Sequence, residues 1–278
     1  MYILSLVIGA KDIRATVYNE EYKQLSQKEA EWSNDAIPCA EELLEAMLEG
    51  EKITSDNVKY IGVAVGASMN AQTVEEKLEK TTGIKTIARN IIEAKALGEA
   101  YVSYDKRSLV MLKIDDEVES AIVIDKKLYF GANGEGAKLS HMIINANGYD
   151  LGCGPRGCFE AYVSRKGISR ILSDAGIECA EEVLATELFA MSGEAAENAK
   201  NAYTNYLASA LVNIINLFQP QEMVLEGDFT SVGYNLFKPL MEIVLDEQYT
   251  SRSPKKCNVR FSRTQNDTVS LGAALLGR

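Results

Sequence analysis

Long apolar runs and basic clusters are missing from this chain of 278 residues. No apolar run reaches the roughly 18 residues that a membrane-spanning helix needs, so we expect no membrane partner. The opening segment, MYILSLVIGAKD, is too short for a signal peptide and has no basic region before it. It therefore predicts a first strand, and we expect a cytoplasmic protein.

Positive charge is also scarce, since 29 Lys and Arg stand against 40 Asp and Glu and give a net charge of -11. A chain this acidic repels nucleic acid unless its cations cluster. The two basic runs, at 11–14 and 253–260, are too short to form a binding arm. We expect no nucleic-acid binding by this chain alone.

Cysteine and histidine are few. The five cysteines are an odd number, which argues against a disulfide framework in a chain without an export signal. The single histidine, His141, precedes Cys153 and Cys158 in a region rich in glycine. Imidazole and thiolate suit tetrahedral zinc. Alternatively, His141 is a hydrogen-bonded core residue and the cysteines are small buried hydrophobes.

What the chain does have is an alternation of strand-like and helix-like segments, which predicts an α/β protein. A strand-turn-strand pattern in the first twenty residues, followed by a third strand near 22–33, recurs at 108–130. Such a repeat predicts a duplicated domain with a cleft between its halves. We expect a smaller lobe formed by 1–107 plus 263–278 and a larger one formed by 108–262.

Helices and strands are predicted from apolar periodicity and from breakers. Pro220 ends the longest predicted helix because proline cannot continue it. The predicted helices are 39–49, 72–81, 91–103, 157–175, 180–191, 194–218, 232–247 and a closing segment, and strands are predicted at 58–66, at IKTIA, at EMVLEG and at 257–262.

Two neighbouring segments, GANGEGAKLSHM and LGCGPRGCFEAYVS, resemble the ROK family of repressors, open reading frames and sugar kinases. The resemblance runs nearly end to end, through VIGAKDIRATVYN, GVAVGASMN, RNIIEAKALGEA, LFQPQEMVLEGD and VSLGAALLG. It implies a two-lobed actin-like ATPase fold, in which both hairpin turns hold nucleotide phosphates.

The resemblance also implies a zinc site made of a histidine and three cysteines. His141, Cys153 and Cys158 match three of these ligands, but Leu151 stands in place of the remaining cysteine. The neighbouring Asp150 is an oxygen donor that could complete the set.

Catalytic residues are not where the resemblance places them. The family's base corresponds to Ile91, which can accept no proton. Glu93 lies two residues further on, about 200° away around a helix, and is a poor substitute. The aspartate that orients magnesium corresponds to Val7, and the threonine of the first phosphate turn to Lys11. No catalytic residue is expected.

Both phosphate turns depart from the family pattern. Gly9 remains in the first turn, but the second turn reads DDEVES at 115–120 in place of a glycine-rich loop. Asp115, Asp116, Glu117 and Glu119 add four negative charges where a nucleotide tetra-anion would sit. We therefore expect neither ATP nor magnesium to bind as in the family. A solvated acidic turn or a divalent cation site are alternative interpretations.

Part of the sugar site is retained. Asn90, His141, Glu160 and Gly66 match family positions at the sugar, whereas Lys138 replaces a glutamate. Amide and carboxylate groups together suit polyol recognition, so a small carbohydrate is the expected partner. Alternatively, Glu160 caps a helix and Asn90 starts one.

Three functions follow from the resemblance. The leading hypothesis is a catalytically silent ROK homologue with a ligand-binding or regulatory role in carbohydrate metabolism. A second is a working ATP-dependent kinase, of glucokinase or N-acetylhexosamine type, with relocated groups. A third is a regulator that consists of the effector domain alone, or a non-catalytic subunit of a hetero-oligomer. ROK repressors carry a winged helix-turn-helix before this domain. Here the first strand begins at Tyr2, so we expect no DNA-binding domain. We also expect the chain to form a homodimer.

Overall fold

The computed structural model describes residues 1–103, 107–134, 136–154, 156–247, 257–262 and 267–278. The chain forms two compact units. Unit 1 comprises residues 1–107, 123–128 and 263–278, and unit 2 comprises residues 108–122 and 129–262. Helices and strands alternate over much of the chain, so the predicted α/β class is confirmed.

The elements in chain order are β1 Tyr2–Ile8, β2 Asp12–Tyr18, β3 Gln24–Glu31, α1 Ala36–Glu51, β4 Val58–Val65, α2 Ala71–Thr82, β5 Thr86–Asn90, α3 Ile91–Val102, β6 Leu109–Ile114, β7 Val118–Ile124, β8 Lys127–Leu128, α4 Glu160–Val163, α5 Arg165–Asp174, α6 Ala185–Ala190, α7 Glu194–Phe218, β9 Glu222–Glu226, α8 Tyr234–Glu247, β10 Asn258–Phe261 and α9 Asp267–Leu275. Short 3-10 helices lie at Ser55–Asn57, Leu139–His141 and Asp228–Val232.

The sheet of unit 1 has the strand order β3-β2-β1-β4-β5. Strand β1 is antiparallel to β2 and parallel to β4. Alternate side chains of β1 point to opposite faces of the sheet. Leu4, Leu6 and Ile8 belong to the core shared with α1 and α2, whereas Val7 packs on the other face, against α3 and α9.

Helices α3 and α9 approach each other closely in unit 1. A Cβ atom added to Gly98 would lie 2.0 Å from the main-chain oxygen of Thr268, and one added to Gly272 would lie 1.6 Å from that of Ala94. Only glycine leaves room for the two backbones at this crossing.

The second sheet has the order β10-β9-β6-β7-β8, with β9 parallel to both of its neighbours. Helix α7 supplies much of the core of unit 2, where Tyr203, Leu207 and Leu211 are fully buried. The predicted helix over 157–175 is wrong in one respect. Ser164 divides it into α4 and α5, because its side chain accepts a hydrogen bond from the Gly167 N–H and caps α5.

None of the helices in the described ranges combines the length and the apolar character that a membrane span requires.

Candidate functional site

The first hairpin turn, in unit 1, is closed by its own backbone. The Gly9 N–H donates to the Asp12 carbonyl at 2.8 Å, and the indole N–H of Trp32 donates to the Gly9 carbonyl at 3.2 Å. The side chain of Lys11 is exposed. The N–H of Gly66 donates to the carbonyl of Ile8 at 3.1 Å, so Gly66 lies beside the same turn.

An apolar cluster occupies the two unit 1 positions that the resemblance assigns to the magnesium aspartate and the base. Val7 is buried in a cluster with Ala64, Ala94 and two residues of α9, and Ile91 packs against that cluster. The side chains that replace both polar groups thus pack into one apolar cluster. An alkyl cluster offers no proton acceptor and no metal ligand.

Asn90 starts helix α3, as one of the two interpretations of the sequence proposed. It is the N-cap residue, and its N–H donates to the carboxylate of Glu93 at 3.1 Å. This is half of a capping box, in which the third helical residue binds the N-cap backbone. Glu93 therefore stabilises the start of this helix.

The second turn, in unit 2, is held by ion pairs. Lys113 lies 2.7 Å from Glu119 and 3.6 Å from Asp115. Burial lowers the pKa of Lys113, but the hydrogen bond to Glu119 and the negative charges around the lysine together outweigh burial and leave this pKa raised. The Asp115 carboxylate also accepts the N–H of Asp228 at 2.9 Å. The turn is thus more structured than the solvated acidic turn considered above.

Arg165, the first residue of α5, joins this turn to the end of β9. Its guanidinium lies 2.7 Å from Asp116 and 2.8 Å from Asp228. The hydrogen bond to Asp228 raises the pKa of Arg165, and burial raises the pKa of Asp228 despite the opposing effect of Arg165. One cation therefore compensates two carboxylates, one of them largely buried.

Glu160, the first residue of α4, also contacts the second turn. Its carboxylate accepts the N–H of Val118 at 2.8 Å, across 42 residues of sequence. The alternative that Glu160 serves only as a local helix cap is therefore incomplete, because the residue also fixes the start of β7.

His141, Cys153 and Cys158 come together as predicted. One ligand atom from each of them lies within 4.8 Å of the others. The two Sγ atoms are 3.6 Å apart. Two thiolates on tetrahedral zinc, with Zn–S bonds of about 2.3 Å, lie about 3.8 Å apart, so the spacing fits. Burial raises the pKa of the Cys158 thiol, and the hydrogen bond with Cys153 adds to this effect.

Asp150, the oxygen donor considered above as a way to complete the set, does not join this group among the residues that the structure describes. Its carboxylate accepts the Gly152 N–H at 2.7 Å, which orients it towards its own loop. The sequence adjacency of Asp150 and Leu151 was therefore a poor guide to the position of its oxygen atoms.

The predicted residues divide between the units. Gly9, Gly66, Asn90 and Ile91 belong to unit 1. The acidic turn that includes Glu117, together with His141, Glu160 and the two loop cysteines, belongs to unit 2.

Three charged residues of unit 2, Lys113, Arg165 and Asp228, were missed. Arg165 and Asp228 are 63 residues apart, and no local pattern connects them.

Comparison with known proteins agrees with the motifs. The ROK family model matches residues 3–278. A glucokinase of Halalkalibacterium halodurans is 26% identical over 200 residues, which cover 66% of this chain and 61% of that protein. An N-acetylmannosamine kinase of Salmonella arizonae is 23% identical over 296 residues, covering 100% of this chain and 99% of that protein. The chain thus matches about three-fifths of the length of the glucokinase.

Among solved structures, the ROK hexokinase from Thermus thermophilus superposes with a TM-score of 0.80 at 22% identity, over 99% of this chain and 98% of that one. This likeness confirms the predicted fold class, the actin-like ATPase fold of ROK sugar kinases. With the family model matching almost its whole length, the chain belongs to the ROK family.

Proposed function

We propose that this chain is a ROK protein that binds a carbohydrate in a ligand-binding or regulatory role and does not transfer a phosphoryl group. The observation that carries the proposal is the apolar cluster of unit 1. Val7 is buried in this cluster and Ile91 packs against it, at the positions where the family has its magnesium and base residues.

Phosphoryl transfer to a sugar needs a group that accepts the proton of the attacking hydroxyl and a cation bound to the nucleotide. Valine and isoleucine supply neither. Glu93, the nearest carboxylate in sequence, is engaged with the backbone of Asn90. A base in this segment would have to break the start of α3.

The acidic turn of unit 2 supports the same conclusion. Lys113 and Arg165 are already paired with carboxylates, so they compensate the charge of the turn itself. The Asp228 N–H is used by Asp115. Since glycine-rich turns bind phosphate through free N–H groups, a nucleotide would meet carboxylates here in place of donors. Like charges within about 4–6 Å repel by roughly 1 kcal/mol or more at an effective dielectric near 20.

The positions that the resemblance assigns to the sugar retain polar groups, one in unit 1 and two in unit 2. Asn90 is half-buried at the start of α3, Glu160 is fixed against Val118, and His141 is exposed. Amide and carboxylate groups of this kind bind the hydroxyls of a polyol as both donors and acceptors. A hexose or an N-acetylated hexosamine is the proposed ligand class.

Zinc is proposed for the loop of His141, Cys153 and Cys158, whose donor atoms and spacing suit it. Zinc would hold the loop in shape there. The three residues provide three of the four protein ligands that a closed structural site has.

A second candidate function is ATP-dependent phosphorylation of a hexose or an N-acetylhexosamine, which the names of the two kinase relatives favour. A coupled ADP-release assay with glucose, N-acetylglucosamine and N-acetylmannosamine distinguishes the candidates. We expect ADP release at the sugar-free rate with every sugar. Turnover above about 1 per second, the low end for typical enzymes, with any of them would establish the kinase instead.

A further inference from the structure

A pocket of about 530 Å³ lies in unit 2 outside the groups described above for sugar and phosphate. Its walls come from the loop at 145–150, from Arg156, from helix α5 and from Tyr206 of α7. This volume lies within the range of about 300–1,000 Å³ that small-molecule sites occupy.

One wall of the pocket is a stack of three tyrosines. The rings of Tyr149 and Tyr162 are 4.7 Å apart, and those of Tyr162 and Tyr206 are 4.1 Å apart. The Tyr149 N–H donates to the Tyr162 hydroxyl at 3.2 Å. A Cβ atom on Gly148 would lie 1.7 Å from that hydroxyl, so glycine is needed for the loop to pack here. The pocket is therefore preformed, which lowers the cost of ordering it around a ligand.

Arg170 projects a guanidinium into this wall. Its Nη2 donates to the main-chain oxygen of Asp150 at 3.1 Å, and its guanidinium carbon lies 5.6 Å from the centre of the Tyr149 ring. Its Nη1 is buried and has no hydrogen-bond partner among the described residues. A buried donor on a charged group that lacks an acceptor is costly, so a negative charge beside the guanidinium would offset part of that cost.

Arg156 is the second arginine of the pocket. It is exposed, and its Nε donates to the Gly148 carbonyl at 3.3 Å. Two carboxylates also line the pocket: Asp150 accepts from the Gly152 N–H, and Asp174 accepts from the Tyr149 hydroxyl.

Within the described part of the chain, neither Arg156 nor Arg170 has a carboxylate within the 4.0 Å of an ion pair. The chain has 40 acidic residues against 29 basic ones, so carboxylate partners are plentiful. Two arginines that lack a carboxylate partner at the same pocket favour the binding of an anion, which guanidinium groups bind in a forked geometry.

The remaining polar lining supplies both donors and acceptors. Asn145 and Asn147 carry amides, and Ser173 carries a hydroxyl. Such groups bind ligand hydroxyls as both donors and acceptors, and a polyol engages more of them at once than a small inorganic anion does.

We propose that this pocket binds a small polyol that carries a phosphate or a carboxylate group. The anionic group is held by Arg170 and Arg156, and the hydroxyls by the amides of the 145–150 loop. This inference does not rest on the proposed function, because none of the residues that carry it belongs to the apolar cluster or to the acidic turn.

Calorimetric titration of the full chain tests the proposal, with glucose 6-phosphate, gluconate, glucose and inorganic phosphate as probes. We expect glucose 6-phosphate or gluconate to bind more tightly than inorganic phosphate, and its binding to depend on both arginines, whereas any binding of glucose at the separate proposed sugar site does not depend on them. Arg170→Met and Arg156→Met each lower this affinity about tenfold or more, because each removes a charged donor while keeping an unbranched apolar stem. Arg107→Met is the matched control, since Arg107 is an exposed arginine of unit 1 that does not line the pocket.

Two results would overturn the proposal. One is that neither anionic probe binds the wild-type chain at about 10 mM, beyond the weakest affinities expected for a specific site. The other is that binding survives both substitutions, which would assign the probe to another site, a kinase product site included. Arg156 is exposed, so its variant keeps the test decisive if the Arg170 variant fails to fold.

Discussion

The guanidinium of Arg165 shows how a single side chain can satisfy a turn that carries several negative charges. It lies between Asp116, which is mostly exposed, and Asp228, whose side chain is only 22% exposed. Taking the Asp228 carboxylate out of water is unfavourable, which is why burial raises its pKa. Arg165 offsets part of that cost.

Replacing Arg165 by methionine should destabilise the chain by about 1–2 kcal/mol at neutral pH, because it leaves Asp228 without its cation. The pKa of Asp228, already raised by burial, rises further in this variant. A protonated Asp228 needs no cation, so the loss relative to wild type shrinks as the pH falls through that pKa. Urea unfolding of the wild type and the variant at pH 7 and near pH 4 measures this difference in stability at each pH.

Lys166→Met is the control for this experiment. Lys166 is half exposed and lies 3.8 Å from Glu182, a surface pair that contributes about 0–1 kcal/mol. An Arg165 variant no less stable than this control at neutral pH would contradict the account of the turn.

The thiol pair gives a second prediction for single residues. Chelator-free protein should contain about one zinc per chain by elemental analysis, and Cys158→Ser should lose it, because one of only three ligands disappears. Cys179→Ser, which alters an exposed cysteine outside the group, should keep it. Metal-free wild-type protein that folds stably would rule zinc out.

At the scale of helices, the crossing of α3 and α9 depends on the absence of a side chain. Gly98→Ala places a methyl group 2.0 Å from the carbonyl oxygen of Thr268, which belongs to the backbone and cannot turn aside. The helices must separate, so we expect a loss of about 1–3 kcal/mol or more in urea unfolding.

Gly50→Ala is the matched control because Gly50 also lies within a helix. Its added methyl group would meet only the Nζ of Lys28, at 3.3 Å, the end of a flexible side chain. Alanine is the better helix former, so this variant should gain up to about 1 kcal/mol. Equal effects of the two substitutions would show that the crossing is not tight.

Helices with a clear boundary signal were predictable, and those defined by contacts distant in sequence were not. Helix α7 was predicted over its full extent, 194–218, because its apolar period is long and Pro220 stops it. The break at Ser164 was missed, because a serine cap inside an apolar pattern has no effect on periodicity. In the same way, the grouping of His141, Cys153 and Cys158 was implied by the resemblance to the ROK family, whereas the ion pairs of Arg165 bridge 49 and 63 residues and had no such signal.

At the scale of the whole molecule, the family residues predicted to be lost and those predicted to be retained concern different ligands. In the proposed function, the apolar cluster and the acidic turn both act against a nucleotide with its metal. In the same proposal, Asn90, Glu160 and His141 offer polar groups to a sugar. The chain should therefore respond to the two substrates of a sugar kinase in opposite ways.

Thermal unfolding with a panel of hexoses and hexosamines, and separately with Mg-ATP, tests this contrast. A ligand that binds only the folded chain stabilises it by RT ln(1 + [L]/Kd), about 2.7 kcal/mol at a hundred times Kd. For a chain of this size, each kcal/mol raises Tm by roughly 2–4 °C, so one sugar of the panel should shift Tm by several degrees. Mg-ATP should leave Tm unchanged, because the carboxylates of the second turn repel it. A rise in Tm with Mg-ATP alone would contradict this account of the second turn, and no shift with any sugar would contradict the proposed carbohydrate ligand.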